Sequence, residues 1–307
     1  MPRHSLSPGR RLGALITVRR LRDPREFMEA VEVQRRAWRM DDYREAAPAH
    51  LLKGLSDNGG LVLGAFEGDR LVGVSYGWPA SHYFYSHATG VVEEAKYRGV
   101  GFKLKTAQRS EVLSLYGFSL AKWTFDPLQS LNSRFNLARL GVVSKQYMVN
   151  YYGEIDDSIN RGLGSDRVKA EWWLTSPRVI HRLSAKQRPC LSAMKQYNPI
   201  AAYGVESSNG VPLPGKRTRE DDLMKSEIVL VPIPRSIGDV RDASMAAAVK
   251  WREATRWAYS LLVENGFILV DNVEGGINYT LNVFWRVPLG KVLSGPEPWR
   301  DCGGEEK

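Results

Sequence analysis

The stretch ATGVVEEAKYRGVGFKLKTAQRSEVL, residues 88–113, turns a strand into a helix across two glycines. A β-branched run ends at Val91–Val92, a basic turn follows, and a helical pattern starts at once. A helix N-terminus exposes backbone N–H groups and about half a positive charge, which suits phosphate oxygens. Gly99 and Gly101 let such a group approach the backbone, and Lys96, Arg98, Lys103 and Lys105 add positive charge. Neither nucleotide fingerprint fits. The GxxxxGK(S/T) pattern is absent, and GxGxxG fails at Leu104. From these residues alone the corner is either a phosphate cradle or a plain turn with a cap.

Working outward, the chain alternates between strand and helix patterns. ALITVRRLR reads as a strand, and DPREFMEAVEVQRRAW as a helix with Asp23 as N-cap and Pro24 at its first position. APAHLLKGLSDN reads as a second helix, ended by Gly59-Gly60. LVLGAFEGDRLVGVSYGWP is a hairpin about EGD, and SHYFYSHATGVV is the third consecutive strand. Beyond the corner helix, FSLAKWTFD is a strand, LQSLNSRFNLARLG a helix, and VVSKQYMVNYYGE and RVKAEWWLT are strands. The order β-α-α-β-β-β-α-β-α-β-β predicts a mixed α/β (α+β) domain. Its expected span is 15–176, after a flexible tail at 1–14. An irregular connector at 177–225 follows, rich in Pro, Gly, Ser and charge. A smaller α/β unit is expected at 226–290, then a loose tail at 291–307.

The composition, 43% hydrophobic and 25% charged over 307 residues, is that of a globular chain with a real core. No apolar run approaches the roughly 20 residues that cross a bilayer, so no membrane partner is expected and the cytoplasm is the expected compartment. Cys190 and Cys302 have no CxxC spacing and suggest neither a zinc site nor a disulfide framework; no metal is expected. The net charge of +9 is spread along the chain, without a helix-turn-helix, zinc-finger or RNP-like pattern. Nucleic acid is therefore not the expected partner, and small anionic ligands are.

With the third strand leading straight into the corner, VVEEAKYRGVGFKL resembles the signature Q/R-x-x-G-x-G/A of the GNAT (Gcn5-related) acyl-CoA N-acyltransferase superfamily. Lys96 stands in the Q/R slot, with Gly99 and Gly101 in the glycine slots. WTFDPLQSLNSRFNLARLG, NYYGEIDDSINRGLGSDR and KWREATRWAY resemble a predicted-acetyltransferase branch with a C-terminal extension, some of whose members are associated with N-succinylation of amino acids. The resemblance implies a GNAT-like central mixed sheet flanked by helices, with acetyl-CoA or another acyl-CoA as co-substrate. It implies that backbone groups of Thr89, Gly90 and Val91 line the pantetheine arm and thioester. It also implies that Lys96, Tyr97, Arg98, Gly99, Val100, Gly101 and Phe102 hold the pyrophosphate. An Asn early in the next helix often contacts the cofactor arm in this family. Asn132 and Asn136, one helical turn apart, are the candidates.

Direct transfer needs a base for the amine and an acid for the leaving thiolate. The Tyr that many members place four residues before a Gly-Phe is missing, because counting back from Gly141 reaches Leu137. Tyr147 is the substitute candidate, with Tyr151 and Tyr152 nearby. Asp126, ending a strand, is the candidate base, although DP at a strand–helix junction is also a common cap. His87 is read as a partly buried, satisfied side chain. Arg252 and Arg256, four apart on a helix, could hold an acceptor or acyl carboxylate. The expected partner is a small-molecule or amino-acid acceptor, and a homodimer is compatible with the sequence. The rival readings are a non-catalytic acyl-CoA sensor and a basic nucleic-acid-binding module.

Overall fold

The computed structural model describes residues 15–40, 42–96, 98–153, 162–184 and 189–299. The first half follows the expected element order. It runs β1 (Ile16–Arg20), α1 (Pro24–Trp38), α2 (Ala49–Asp57), β2 (Leu61–Glu67), β3 (Arg70–Pro79), β4 (Phe84–Val91) and α3 (Val100–Tyr116). It continues with β5 (Leu120–Phe125), α4 (Ser130–Ser133), β6 (Tyr147–Met148) and β7 (Arg167–Trp173). The strands hydrogen-bond in the order β1-β2-β3-β4-β5-β7-β6. This is a mixed sheet, with β4 and β5 parallel and β5 and β7 antiparallel. The fold class is mixed α+β, as the pattern predicts.

The chain divides into two compact units, Met1–Pro79 with Ser86–Ser114, and Ala80–Tyr85 with Leu115–Lys307. The expected single domain over 15–176 is thus split within β4 and α3. In the first unit, β1, β2 and β3 form an antiparallel meander. Helix α1 starts on the expected cap: Asp23 accepts from Arg25 N–H, and Glu26 closes a capping box. Its buried face, Phe27, Ala30, Val33 and Gln34, follows the helical repeat. Burying Phe27 alone contributes about 2–3 kcal/mol.

In the second unit, Phe84 and Tyr85 of β4 pair with Ala121 and Lys122 of β5. The described residues of 177–225 are not irregular. They form α5 (Pro177–Ser184), α6 (Leu191–Met194), β8 (Ile200–Ala201), the hairpin β9 (Tyr203–Ser208) and β10 (Val211–Arg217), and α7 (Glu220–Lys225). The polar composition hid a hairpin whose turn, Asn209-Gly210, takes positive φ at both residues. The remaining elements are β11 (Ile228–Pro234), α8 (Ile237–Ala243), α9 (Met245–Glu264), β12 (Ile268–Gly276), β13 (Tyr279–Trp285) and α10 (Leu289–Leu293). A second sheet runs β12-β13-β11-β8. Its β11, IVLVPIP, is buried along its whole length, as a continuous apolar run in a central strand should be.

Residues 291–299 are not loose either. Trp299 is buried, and buried Glu297 accepts from Arg182 at 2.6 Å and pairs with Arg178. This described part of the expected loose tail is docked by a charge network that composition does not reveal. Cys190 is disulfide-bonded, contrary to the expectation from spacing; Cys302 lies outside the described residues, as does the 1–14 tail. Among the described residues no helix is long and apolar enough to cross a membrane.

Candidate functional site

In the first unit, β4 runs to Val91, and Val92 N–H bonds Val72 O at 3.0 Å. A single turn at Glu93–Ala95 and an extended Lys96 lead to Gly99, at φ +75°. That left-handed conformation suits glycine, and a Cβ built there meets nothing within 4 Å. Helix α3 begins at the next residue, and Lys103 N–H bonds back to Gly99 O at 3.0 Å. The helix therefore offers no partner to the N–H groups of Val100 and Gly101. Gly99 leaves open space directly beside this helix end. Tyr97, expected in the same cradle, lies outside the described residues.

The four cations of the corner do not act together. Lys96 pairs with Glu93 at 2.6 Å and Arg98 with Glu67 at 2.6 Å. The hydrogen bonds from Lys96 and Arg98 hold the Glu93 and Glu67 carboxyls below their usual range. Lys103 donates to Ile16 O at 3.1 Å. Lys105 is buried, so its contribution to the surface charge is withdrawn. Lys96 and Arg98 are the cations that can turn to an anion, since exposed pairs of this kind hold weakly. Gly90 has a packing role as well: a Cβ there would come within 3.0 Å of both Ala37 and Trp38 of α1.

A polar strip missed in the sequence runs beneath α3. Lys105 Nζ donates to Ser86 Oγ (3.0 Å) and Gln108 Oε1 (2.8 Å). Gln108 Nε2 donates to Ser75 Oγ (3.1 Å), which shares a 2.8 Å hydrogen bond with Thr89 Oγ1. Burial brings the Lys105 ammonium down to about 7. The available signal was Lys105 and Gln108 lying on the same helical stripe as Val100, Leu104 and Val112. Two residues before Thr89, His87 stacks on Trp78 with ring centres 5.2 Å apart. The Tyr76 ring lies 5.4 Å from it, tilted; His87 itself is exposed, and the desolvation its ring does undergo lowers its pKa.

In the second unit, Asp126 and Arg252, expected in separate roles, are each other's partner. Arg252 donates to both carboxylate oxygens, at 2.9 and 2.7 Å, and to Leu163 O at 2.9 Å. Asp126 also caps Leu128 N–H at 2.9 Å. Burial works against the Arg252 charge, but Asp126 outweighs it and holds the guanidinium above its ordinary pKa. Both oxygens of this buried carboxylate are engaged, so it has no oxygen left to turn to a substrate amine, and the clamped guanidinium is a poor carboxylate receptor.

Tyr147 and Arg256 share one partner. Tyr147 donates to Asp166 Oδ2 at 2.5 Å, and Arg256 grips both Asp166 oxygens at 2.9 and 2.8 Å. Burial and then the Asp166 hydrogen bond raise the Tyr147 pKa, which weakens it as an acid. Asn132 and Asn136 do share a face, but Asn136 Nδ2 donates to Asn132 Oδ1 at 2.9 Å. They flank the start of a π-helical stretch, Arg134–Arg139. Residues of β13 hold the same turn: Asn282 donates to Pro127 O (3.2 Å), and Thr280 shares a 3.1 Å bond with Ser130. A cavity of about 730 Å³, walled by Tyr197, Trp285 and Trp299, contains none of these groups. Among the described residues no cluster of His, Cys, Asp or Glu could hold a metal ion.

No protein-family model and no curated protein matches the chain. Solved structures resemble about half of it. A GNAT-family structure from Desulfovibrio desulfuricans is 17% identical, covers 52% of this chain and 100% of its own, and has a TM-score of 0.42. The ribosomal-protein-S18-alanine N-acetyltransferase of Escherichia coli is 12% identical over 51% of this chain and 92% of its own, with a TM-score of 0.40. PaiA N-acetyltransferase from Thermoplasma acidophilum, in complex with coenzyme A, is 17% identical over 51% and 98%, with a TM-score of 0.38. The likeness is one of fold.

Proposed function

We propose that the chain is an acyl-CoA-dependent N-acyltransferase of the GNAT type, moving an acetyl or succinyl group to the amine of a small molecule or amino acid. The observation that carries this reading is the corner, where Gly99 leaves open space at the N-terminal end of α3. The N–H groups of that end would hold the pyrophosphate, with Lys96 and Arg98 turning from Glu93 and Glu67 toward it. β4 bonds to β5 at Phe84 and Tyr85, leaving the Thr89–Val91 backbone to line the pantetheine arm in this reading. In direct transfer the amine nitrogen bonds to the thioester carbon. The C–S bond then breaks, the thiolate takes a proton, and the new amide nitrogen loses one.

Asp126 and Tyr147 are engaged by Arg252 and Asp166, so neither is assigned a proton-transfer role. His87 is the base we assign: desolvation lowers its pKa, which favours the neutral imidazole a base requires, and it lies on the strand that carries Thr89. The same engaged groups favour a second reading, an acyl-CoA sensor without turnover. Titration with acetyl-CoA, followed by thiol release with an amine panel and acetyl-, succinyl- and propionyl-CoA, separates the two. Amine-dependent thiol release that falls in His87→Gln supports the transferase. Binding without release leaves the sensor, and no binding removes both.

A further inference from the structure

The strip beneath α3 has a direction. As an ammonium, Lys105 can only donate, and as a neutral amine it still has two N–H groups, enough for Ser86 Oγ and Gln108 Oε1. The Gln108 amide is thereby oriented with its oxygen on Lys105 and its NH2 on Ser75. Ser75 Oγ accepts that hydrogen and shares a 2.8 Å hydrogen bond with Thr89 Oγ1 in which either hydroxyl can be the donor; Ser75 as donor gives its fully buried O–H an acceptor, while the partly exposed Thr89 has solvent for its own. In that order Thr89 accepts from Ser75, and its hydroxyl hydrogen is directed away from the strip. Ser75 and Gln108 are fully buried, and Lys105 and Ser86 nearly so, while Thr89 is partly exposed on β4. The chain of bonds thus starts in the core and ends on a hydroxyl donor at the surface of the strand.

We infer that the Thr89 hydroxyl donates a hydrogen bond to the acyl carbonyl of the bound thioester, and that Lys105, Gln108 and Ser75 are positioning residues that fix its proton order. The inference rests on the acyl-CoA reading above. A donor aimed at this oxygen strengthens its hold as negative charge develops there during attack by the amine. Ordinary packing of α3 would require no particular direction of these hydrogens.

The test compares acetyl-CoA with S-ethyl-CoA, a thioether of similar size without the carbonyl, by isothermal titration. The wild type should bind acetyl-CoA about five-fold more tightly, the equivalent of one ordinary hydrogen bond at ~1 kcal/mol. Thr89→Ser should keep that ratio and Thr89→Val should bring it near one. Gln108→Glu is the decisive variant. Its carboxylate still accepts from Lys105 but also accepts from Ser75, so Thr89 must donate inward and the preference should vanish in a folded protein. A Gln108→Glu protein that keeps the preference overturns the inference. If that variant fails to fold, the Thr89→Val and Thr89→Ser pair decides, since Thr89 is not a core residue. Equal binding of the two ligands by wild type overturns the inference and leaves the acyl-CoA reading standing. Failure of wild type to bind either ligand removes both.

Discussion

Replacing Lys105 by Met should change how stability depends on pH. Burial holds the Lys105 ammonium at about 7, against 10.5 for the free side chain. Because the folded pKa is depressed, the unfolded chain binds more protons between these two values. Folding therefore carries a protonation penalty that is full below the folded pKa and fades as pH rises toward 10.5. At 1.36 kcal/mol per pKa unit, the penalty is about 4 kcal/mol at pH 7 and about 2 kcal/mol at pH 9. Met fills a similar volume without the charge, and the lost hydrogen bonds to Ser86 and Gln108 lower its stability by a similar amount at each pH. Other groups titrate alike in both proteins and cancel. Urea unfolding at the two pH values, followed by far-UV circular dichroism, gives the comparison. Wild type should gain about 2 kcal/mol on Lys105→Met between pH 7 and 9. A difference that stays constant with pH would mean that Lys105 titrates as an exposed lysine, and would refute the burial argument.

Arg252→Met should cost about 3–5 kcal/mol, because it leaves the buried Asp126 carboxylate without its partner. Combining it with Asp126→Asn should recover part of that loss in urea midpoints; equal losses would show that the pair's charge is not what matters. Tyr147→Phe should keep amine-dependent thiol release, since the hydroxyl is engaged by Asp166. Abolished release in a folded variant would restore Tyr147 as the acid. Gly99→Val forces a β-branched residue to φ +75° and should cost about 1–2 kcal/mol while weakening acetyl-CoA binding. Gly117→Val, strained in the same way at φ +67°, should lower thermal stability and leave affinity unchanged.

The corner and the element order were legible because they rest on local signals. Asp23 and Pro24 open α1, Gly99 precedes α3, and apolar alternation marks β2 and β3. Partners that lie far apart in sequence were not legible. Arg252 is 126 residues from Asp126, and Arg256 is 90 from Asp166, so each looked like an available functional group. The sequence places these residues on their elements but not against one another. The 177–225 stretch reads as irregular because Pro, Gly and charge also occur in an exposed hairpin such as β9–β10, where little is buried. Lys105 reads as a surface cation because of its charge; only its position on the buried stripe of α3 argues otherwise.

The pyrophosphate corner is tested most directly by isothermal titration of acetyl-CoA into wild type and into the Lys96→Glu, Arg98→Glu double variant. Wild type should bind, and the folded double variant should bind at least about tenfold more weakly, because two cations beside the helix end become anions. Unchanged affinity in the folded double variant would contradict the assignment of this corner to the phosphates of an acyl-CoA.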